Sequence, residues 1–194
     1  MPVTELDAAE VLGATKRPMR YCNQCAAMMP VKGSADRPKC VHCLDVLLHC
    51  LIVDTREQSP WHFSGDVTTE VAGLDTGDYS LRGATELVRI ERKSLPDLAN
   101  CCGHDRDRFW EQMRRLSAFH HKLLVIEGHE DRIWAKAYMS EIRPQSVLAT
   151  LRAVQCDFGV CVIHADDARD AAKRAEWILT RVAKRKEAGL YEAP

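Results

Sequence analysis

Two apolar runs, "KLLVIEG" at 122–128 and "FGVCVIHA" at 158–165, constrain the fold more than any other feature of this sequence. Each follows a segment with helical spacing, and each is short. Runs of this kind read as buried strands, and buried strands separated by helices are parallel ones joined by crossovers. An α/β domain is therefore expected. Its strands should lie near 47–54, 67–73, 79–82, 87–93, 122–127 and 159–164, and its helices near 94–101, 106–119, 144–155 and 167–187. The 194 residues, 46% of them hydrophobic, supply a core for one such domain and a small appendage.

One expected strand ends unusually. In "LVRIERKSLPDL" (87–98), side chains alternate between faces, so Val88 and Ile90 face the core while Glu91 and Lys93 share the other side. They stand roughly 7 Å apart along the strand. Charges are seldom buried unless paired. Either this is an edge strand whose Glu91 and Lys93 pair in solvent, or it delivers both to a site. Two acidic segments precede it. "LIVDTREQ" (51–58) ends an apolar strand in Asp54, and "LDTGDYSL" (74–81) puts Asp78 at a turn. Asp followed by Glu-x-Lys on the next strand is the arrangement of divalent-metal nucleases. Two carboxylates bind a hard Mg2+ or Mn2+ ion through oxygen. Such an ion acidifies a water and stabilises charge gathering on a phosphate, and a lysine nearby positions that water. Asp54 and Glu57 are expected to tune the site.

The segments "VDTRE", "GDYSL", "RIERKSLPDL", "DRFWEQMRRL" and "LLVIEG" occur in that order, with "SVLATLRAVQCDFGVCVIHA" after them. Together they closely resemble the nuclease domain of the XPF family, which includes the archaeal nuclease Hef and the eukaryotic XPF and Mus nucleases. Its signature, GD followed by ERK-x3-D, stands here as Gly77-Asp78, Glu91-Arg92-Lys93 and Asp97. The resemblance spans about 46–187, and short bacterial and phage members look most similar. It implies a restriction-endonuclease-like (PD-(D/E)XK) mixed sheet flanked by helices. It implies Asp78 and Glu91 as ligands of Mg2+ or Mn2+, with the Arg92 carbonyl as a third, and Lys93 assisting the attacking water. Asp54 and Glu57 match the family's first acidic pair, Arg92 its active-site arginine and Asp97 its final acid. Arg106, Arg108 and Gln112 match its DNA-facing segment.

The implied activity is metal-dependent endonucleolytic hydrolysis of DNA near single-strand/duplex boundaries, in repair, recombination or phage DNA processing. DNA is the implied partner, and a homodimer or partner chain is implied because the family's nuclease domains dimerise. Larger members carry paired helix-hairpin-helix modules after the nuclease. None follows the 167–187 segment here, which leaves junction preference open. The competing reading is a DNA-binding or scaffold module on an inactive nuclease fold. Loss of Asp78, Glu91 or Lys93 would mark that case, and all three are present.

Ahead of this domain, Cys22, Cys25, Cys40 and Cys43 form C-x2-C, fourteen residues, C-x2-C. Two tight knuckles aim four thiolates at one ion, which reads as a structural zinc ribbon over 21–45 following an N-terminal segment, 1–20. That segment contains one short helical pattern, "TELDAAEVLG". Lys32, Arg37 and Lys39 lie in and after the ribbon loop, as solvated charges or as phosphate contacts. Cys50 and Cys161 are expected as small core residues. Cys101 and Cys102, being adjacent, are poorly placed to share a metal.

Between Arg169 and Lys186 seven basic residues face two acidic ones, Asp170 and Glu176, in a chain of net charge -1. "KRAEWILTRVAKRK" reads as an amphipathic helix with Trp177, Ile178 and Val182 inward. Its charges form a solvated face or a phosphate contact. A tail, 188–194, closes the sequence. The longest apolar stretch, "VLLHCLIV" (46–53), is too short to span a bilayer, and the start lacks a secretory signal. A soluble protein is expected: cytoplasmic and nucleoid-associated in a bacterium or phage host, nuclear in a eukaryote. Elemental analysis of freshly purified, reduced protein should find about one zinc per chain. A content well below that overturns the ribbon assignment.

Overall fold

The computed structural model describes residues 19–21, 28–32, 39–40, 50–64 and 67–191. The chain divides into two units, 1–47 and 48–194. In the first, β1 (Met19–Tyr21), β2 (Met28–Lys32) and β3 (Lys39–Cys40) form an antiparallel sheet in the order β1-β2-β3. Met19 lies opposite Pro30, and Val31 opposite Cys40. Cys22, Cys25 and Cys43, and the expected helix over 4–13, lie outside the described residues, and Cys40 is described only as strand backbone. The expected zinc site falls there with them.

The second unit is built on a six-stranded mixed sheet. Its strands are β4 (Cys50–Asp54), β5 (Thr68–Ala72), β6 (Tyr79–Leu81), β7 (Val88–Ser94), β8 (His121–Glu127) and β9 (Cys161–Ala165). Their order in the sheet is β5-β4-β6-β7-β8-β9. The β4–β6–β7 stretch is antiparallel, whereas β4–β5, β7–β8 and β8–β9 are parallel, as the two apolar runs required. The sheet is flanked by helices: α1 (Leu95–Cys102), α2 (Arg106–Leu116), α3 (Glu130–Trp134), α4 (Pro144–Phe158) and α5 (Ala168–Glu187). This is the mixed α/β architecture expected. Among the described residues, the helix the sequence pattern missed is α3, whose five residues are too few to show a period.

Local chemistry sets the helix ends. Ser94 accepts the Asp97 amide and donates to the Asp97 carboxylate, starting α1, with Pro96 in its first turn. Gly159 takes a left-handed conformation, φ 61°, and stops α4. Asp167 caps α5 by accepting the Asp170 amide.

Period-two alternation divides the core between the two faces of the sheet. Val88, Ile90, Leu123 and Val125 meet α5, which presents Ala171, Ala172, Ala175, Leu179, Val182 and Ala183. The alanines let this helix lie close to the sheet. Leu124 and Ile126 face the other way, into a cluster formed with α1, α2, α3 and α4. At the far end of α5, Lys186 Nζ donates to the Gly83 carbonyl and to Glu86 Oε1, tying the helix to the β6–β7 turn.

Two expectations change. Trp177 is 69% exposed, because the apolar side of α5 is already filled by the alanines, Leu179 and Val182, and Trp177 lies on the opposite side. Cys161 is exposed at the start of the edge strand β9, whereas Cys50 is buried as expected. Among the described residues no helix is long and apolar enough to cross a membrane.

Gly128 follows β8 at φ 153°, and a Cβ there would stand 2.5 Å from Leu95 Cδ1, inside the core. Gly128→Ala should lower stability by about 1–3 kcal/mol through backbone strain and forced displacement of Leu95. Urea unfolding reads the loss, and coincident midpoints would show the contact to be slack.

Candidate active site

β7 is an interior strand, so the edge-strand reading of Glu91 and Lys93 does not hold. Glu91 is only 1% exposed. Asp78 enters from the turn before β6, held by three backbone contacts. The Asp54 amide donates to the Asp78 carbonyl at 2.8 Å, the Asp78 amide donates to the Ile90 carbonyl at 2.8 Å, and the Arg92 amide donates to Asp78 Oδ2 at 2.7 Å. Gly77 makes this approach possible. Its φ is 76°, and a Cβ would meet the Ile90 carbonyl at 3.1 Å.

Asp78, Glu91 and Lys93 thereby share a cleft of about 370 Å³. Asp97, Asn100 and Cys101 of α1 and Arg108, Gln112 and Arg115 of α2 line it, with Arg56 and Asp75 from the loops beside β4 and β6. Lys93 Nζ forms an ion pair with Glu91 Oε1. Glu91 Oε2 is buried with no hydrogen-bond partner among the described residues.

Burial, and then the nearby Glu91 carboxylate, push the Asp78 carboxyl up to about 7, against the Arg92 amide and the Lys93 charge. Burial works against the Lys93 ammonium, yet Glu91 outweighs it and holds its pKa above the ordinary lysine value. Burial likewise pushes the Cys101 thiol up to about 11, with Lys93 opposing. A buried acceptor lacking a donor, beside a second buried carboxylate, is an arrangement that a bound cation would relieve. Asp78 and Glu91 have the oxygen chemistry to hold a hard divalent ion.

The other expected site residues are placed differently. Asp54 is 2% exposed and fully engaged. Its Oδ1 accepts Arg56 Nε at 2.6 Å and the Arg56 amide at 3.0 Å, and its Oδ2 accepts the Leu74 amide at 2.6 Å. Burial opposes its charge, but these donors keep its pKa below the usual aspartate value. It braces the wall of the cleft. The Arg92 guanidinium leaves the opposite face of β7 from Glu91 and Lys93. It binds Glu127 Oε1 at 2.7 Å and Glu57 Oε1 at 3.2 Å, so Arg92 and Glu57 form a separate cluster behind the strand. Alternation along β7 is the cause.

Of the α2 residues, Arg108 and Gln112 line the cleft, but Arg106 lies over the Trp110 ring at 5.1 Å and does not. Asp97 both caps α1 and lines the cleft. Arg56 and Arg115 are the cleft cations that sequence reasoning missed. The spacing 108, 112, 115 already put Arg115 on the helix face of the other two.

Residues 53–177 match the family model described as ERCC4 domain. Among solved structures, XPF from Aeropyrum pernix is 24% identical with a TM-score of 0.54, the match covering 74% of this chain and 69% of that one. The same protein in complex with DNA is 23% identical with a TM-score of 0.53, covering 71% of this chain and 66% of that one. Those likenesses speak to the fold. No curated protein matches the chain.

The Asp78 shift has a defined sign. An unfolded aspartate titrates near 3.8, so between that value and about 7 the folded chain binds more protons than the unfolded one. The group's contribution to stability therefore falls as pH rises through this window. Urea unfolding of chelator-treated protein across the window should show the decline, and Asp78→Asn should remove it. An identical slope in the variant overturns the assignment.

Proposed function

This chain belongs to the ERCC4 domain family, and on that premise we propose that it is a metal-dependent endonuclease that hydrolyses phosphodiester bonds in DNA. The observation that carries the reading is the cleft itself: Asp78 and Glu91 together, Lys93 paired to one Glu91 oxygen, and the other oxygen without a partner. Asp78 and Glu91 would hold the ion, Mg2+ or Mn2+. When bound, it supplies Lewis-acid stabilisation of the charge that develops on the phosphate.

The chain's own residues do the rest. Lys93 stays charged beside Glu91, so it serves as a hydrogen-bond donor that orients the attacking water and steadies the phosphorane, and it is not the general base. The Arg92 amide fixes Asp78 Oδ2, while its side chain, clamped by Glu57 and Glu127, stiffens β7 from behind. Arg92 and Glu57 are therefore positioning residues. Arg108, Gln112 and Arg115 offer phosphate contacts from one helix face, which hold register without reading sequence. The XPF of Aeropyrum pernix in complex with DNA supports DNA as the partner.

The finer proposals are a substrate with a single-strand/duplex junction, a homodimer, and a structural zinc held by Cys22, Cys25, Cys40 and Cys43. The family membership supports the first two and the cysteine spacing supports the third. Nicking of forked or flapped DNA should require Mg2+ or Mn2+. Asp78→Asn and Lys93→Ala should each reduce it by roughly 100-fold or more while DNA binding persists. A chain that binds such DNA but cuts none of a flap, fork, bubble, junction and linear panel with either metal would be a scaffold.

A further inference from the structure

We infer that the outer stripe of α5 is a second nucleic-acid contact, on the opposite face of the sheet from the cleft. Lys173, Trp177, Arg181 and Lys184 follow one another at intervals of four, four and three residues, and all four are exposed. That spacing aligns them along one side of the helix, away from the alanines that meet the sheet. Trp177 is 69% exposed, and the half-buried Ile163 of β9 and Ile178 lie beside it in a shallow groove.

The charge balance favours a polyanion. Lys173, Arg181 and Lys184 have no carboxylate partner among the described residues. The two acids within the basic run are engaged elsewhere: Asp170 with Arg174 at 2.7 Å, and Glu176 with the Ser64 hydroxyl at 2.7 Å. Arg185 lies over Tyr191, and Lys186 is held by Gly83 and Glu86, so neither joins the stripe.

An aromatic ring set among unpaired cations suits single-stranded DNA, in which a base stacks on the ring and neighbouring phosphates meet the cations. A second copy of the chain fits less well. A two-fold interface on this stripe would bring the same unpaired cations face to face. Burial would then leave them without compensation. The inference stands apart from the cleft's chemistry, because it requires the chain to bind DNA there and not to cut it.

Full-length protein carrying Asp78→Asn allows binding to be measured without cleavage, using fluorescence anisotropy on forked DNA over a salt series. Trp177→Ala should weaken binding roughly 5- to 100-fold, with Trp177→Phe restoring most of it. The triple variant Lys173→Ala, Arg181→Ala, Lys184→Ala should lower the slope of log affinity against log salt by roughly 2, at about 0.7 per phosphate of a single strand. Thermal unfolding should be unchanged in each, because all four side chains are solvent-facing. Unaltered affinity and slope would overturn the inference. So would a change of the Trp177→Ala variant from dimer to monomer in sedimentation with DNA affinity intact, which would make the face a protein interface. If the unmutated chain cuts no DNA yet binding still depends on Trp177, the nuclease reading fails and this contact stands.

Discussion

Two carboxylates set side by side out of water repel each other, and the sheet holds Asp78 and Glu91 in that arrangement through backbone bonds. Asp78 is fixed by the Asp54 amide to its carbonyl, by its own amide to Ile90, and by the Arg92 amide to its side chain. Glu91 is fixed as an interior residue of a strand with neighbours on both sides. These contacts fix the backbone of both residues and one oxygen of the Asp78 side chain. Burial keeps the Glu91 carboxylate out of water, and the Arg92 amide holds Asp78 Oδ2. Burial first, and then the repulsion from Glu91, raise the Asp78 pKa, and the Lys93 ammonium offsets part of that rise. Charge compressed in this way can be released by a cation or by a proton, and the two compete for the same oxygens.

The rest of the domain is arranged around that constraint. α1 and α2 close over the acidic face of β7: the α1 cap engages Asp97, and one face of α2 adds Arg108, Gln112 and Arg115 to the cleft lining. On the back of the strand, Arg92 is gripped by Glu57 and Glu127. The charged triplet Glu91-Arg92-Lys93 thus serves two purposes at once. Its outer members line the cleft and its middle member secures the strand. Arg92→Lys would be a poor replacement, since an ammonium cannot span two carboxylates as the planar guanidinium does.

Much of this was legible in the sequence, and the exceptions have physical reasons. The parallel strands β8 and β9 followed from continuous apolar runs, and the shared face of Glu91 and Lys93 followed from a period of two. Alternation also placed Arg92 on the other face, but the family motif groups it with its neighbours and so drew it toward the cleft. Helix phase likewise separates Arg106 from Arg108, so it lies outside the cleft lining. Trp177 was read as inward because it is large and apolar. Nothing in a single sequence says that four alanines already fill the space between α5 and the sheet. Asp54 is expected to tune the site, and nothing in the sequence shows that Arg56 and the Leu74 amide already occupy both of its oxygens.

The tie between Lys186 and the β6–β7 turn joins the end of the last helix to a hairpin encoded about a hundred residues earlier. β7 also needs β8, and the core beneath Val88 and Ile90 needs α5. A nascent chain that has reached only α4 therefore carries Asp78, Glu91 and Lys93 but lacks the helix that backs their strand and fastens their hairpin. Domains fold as units once their parts have emerged from the ribosome. The acidic pair is consequently among the last features of this unit to become rigid during synthesis, however early its residues are translated.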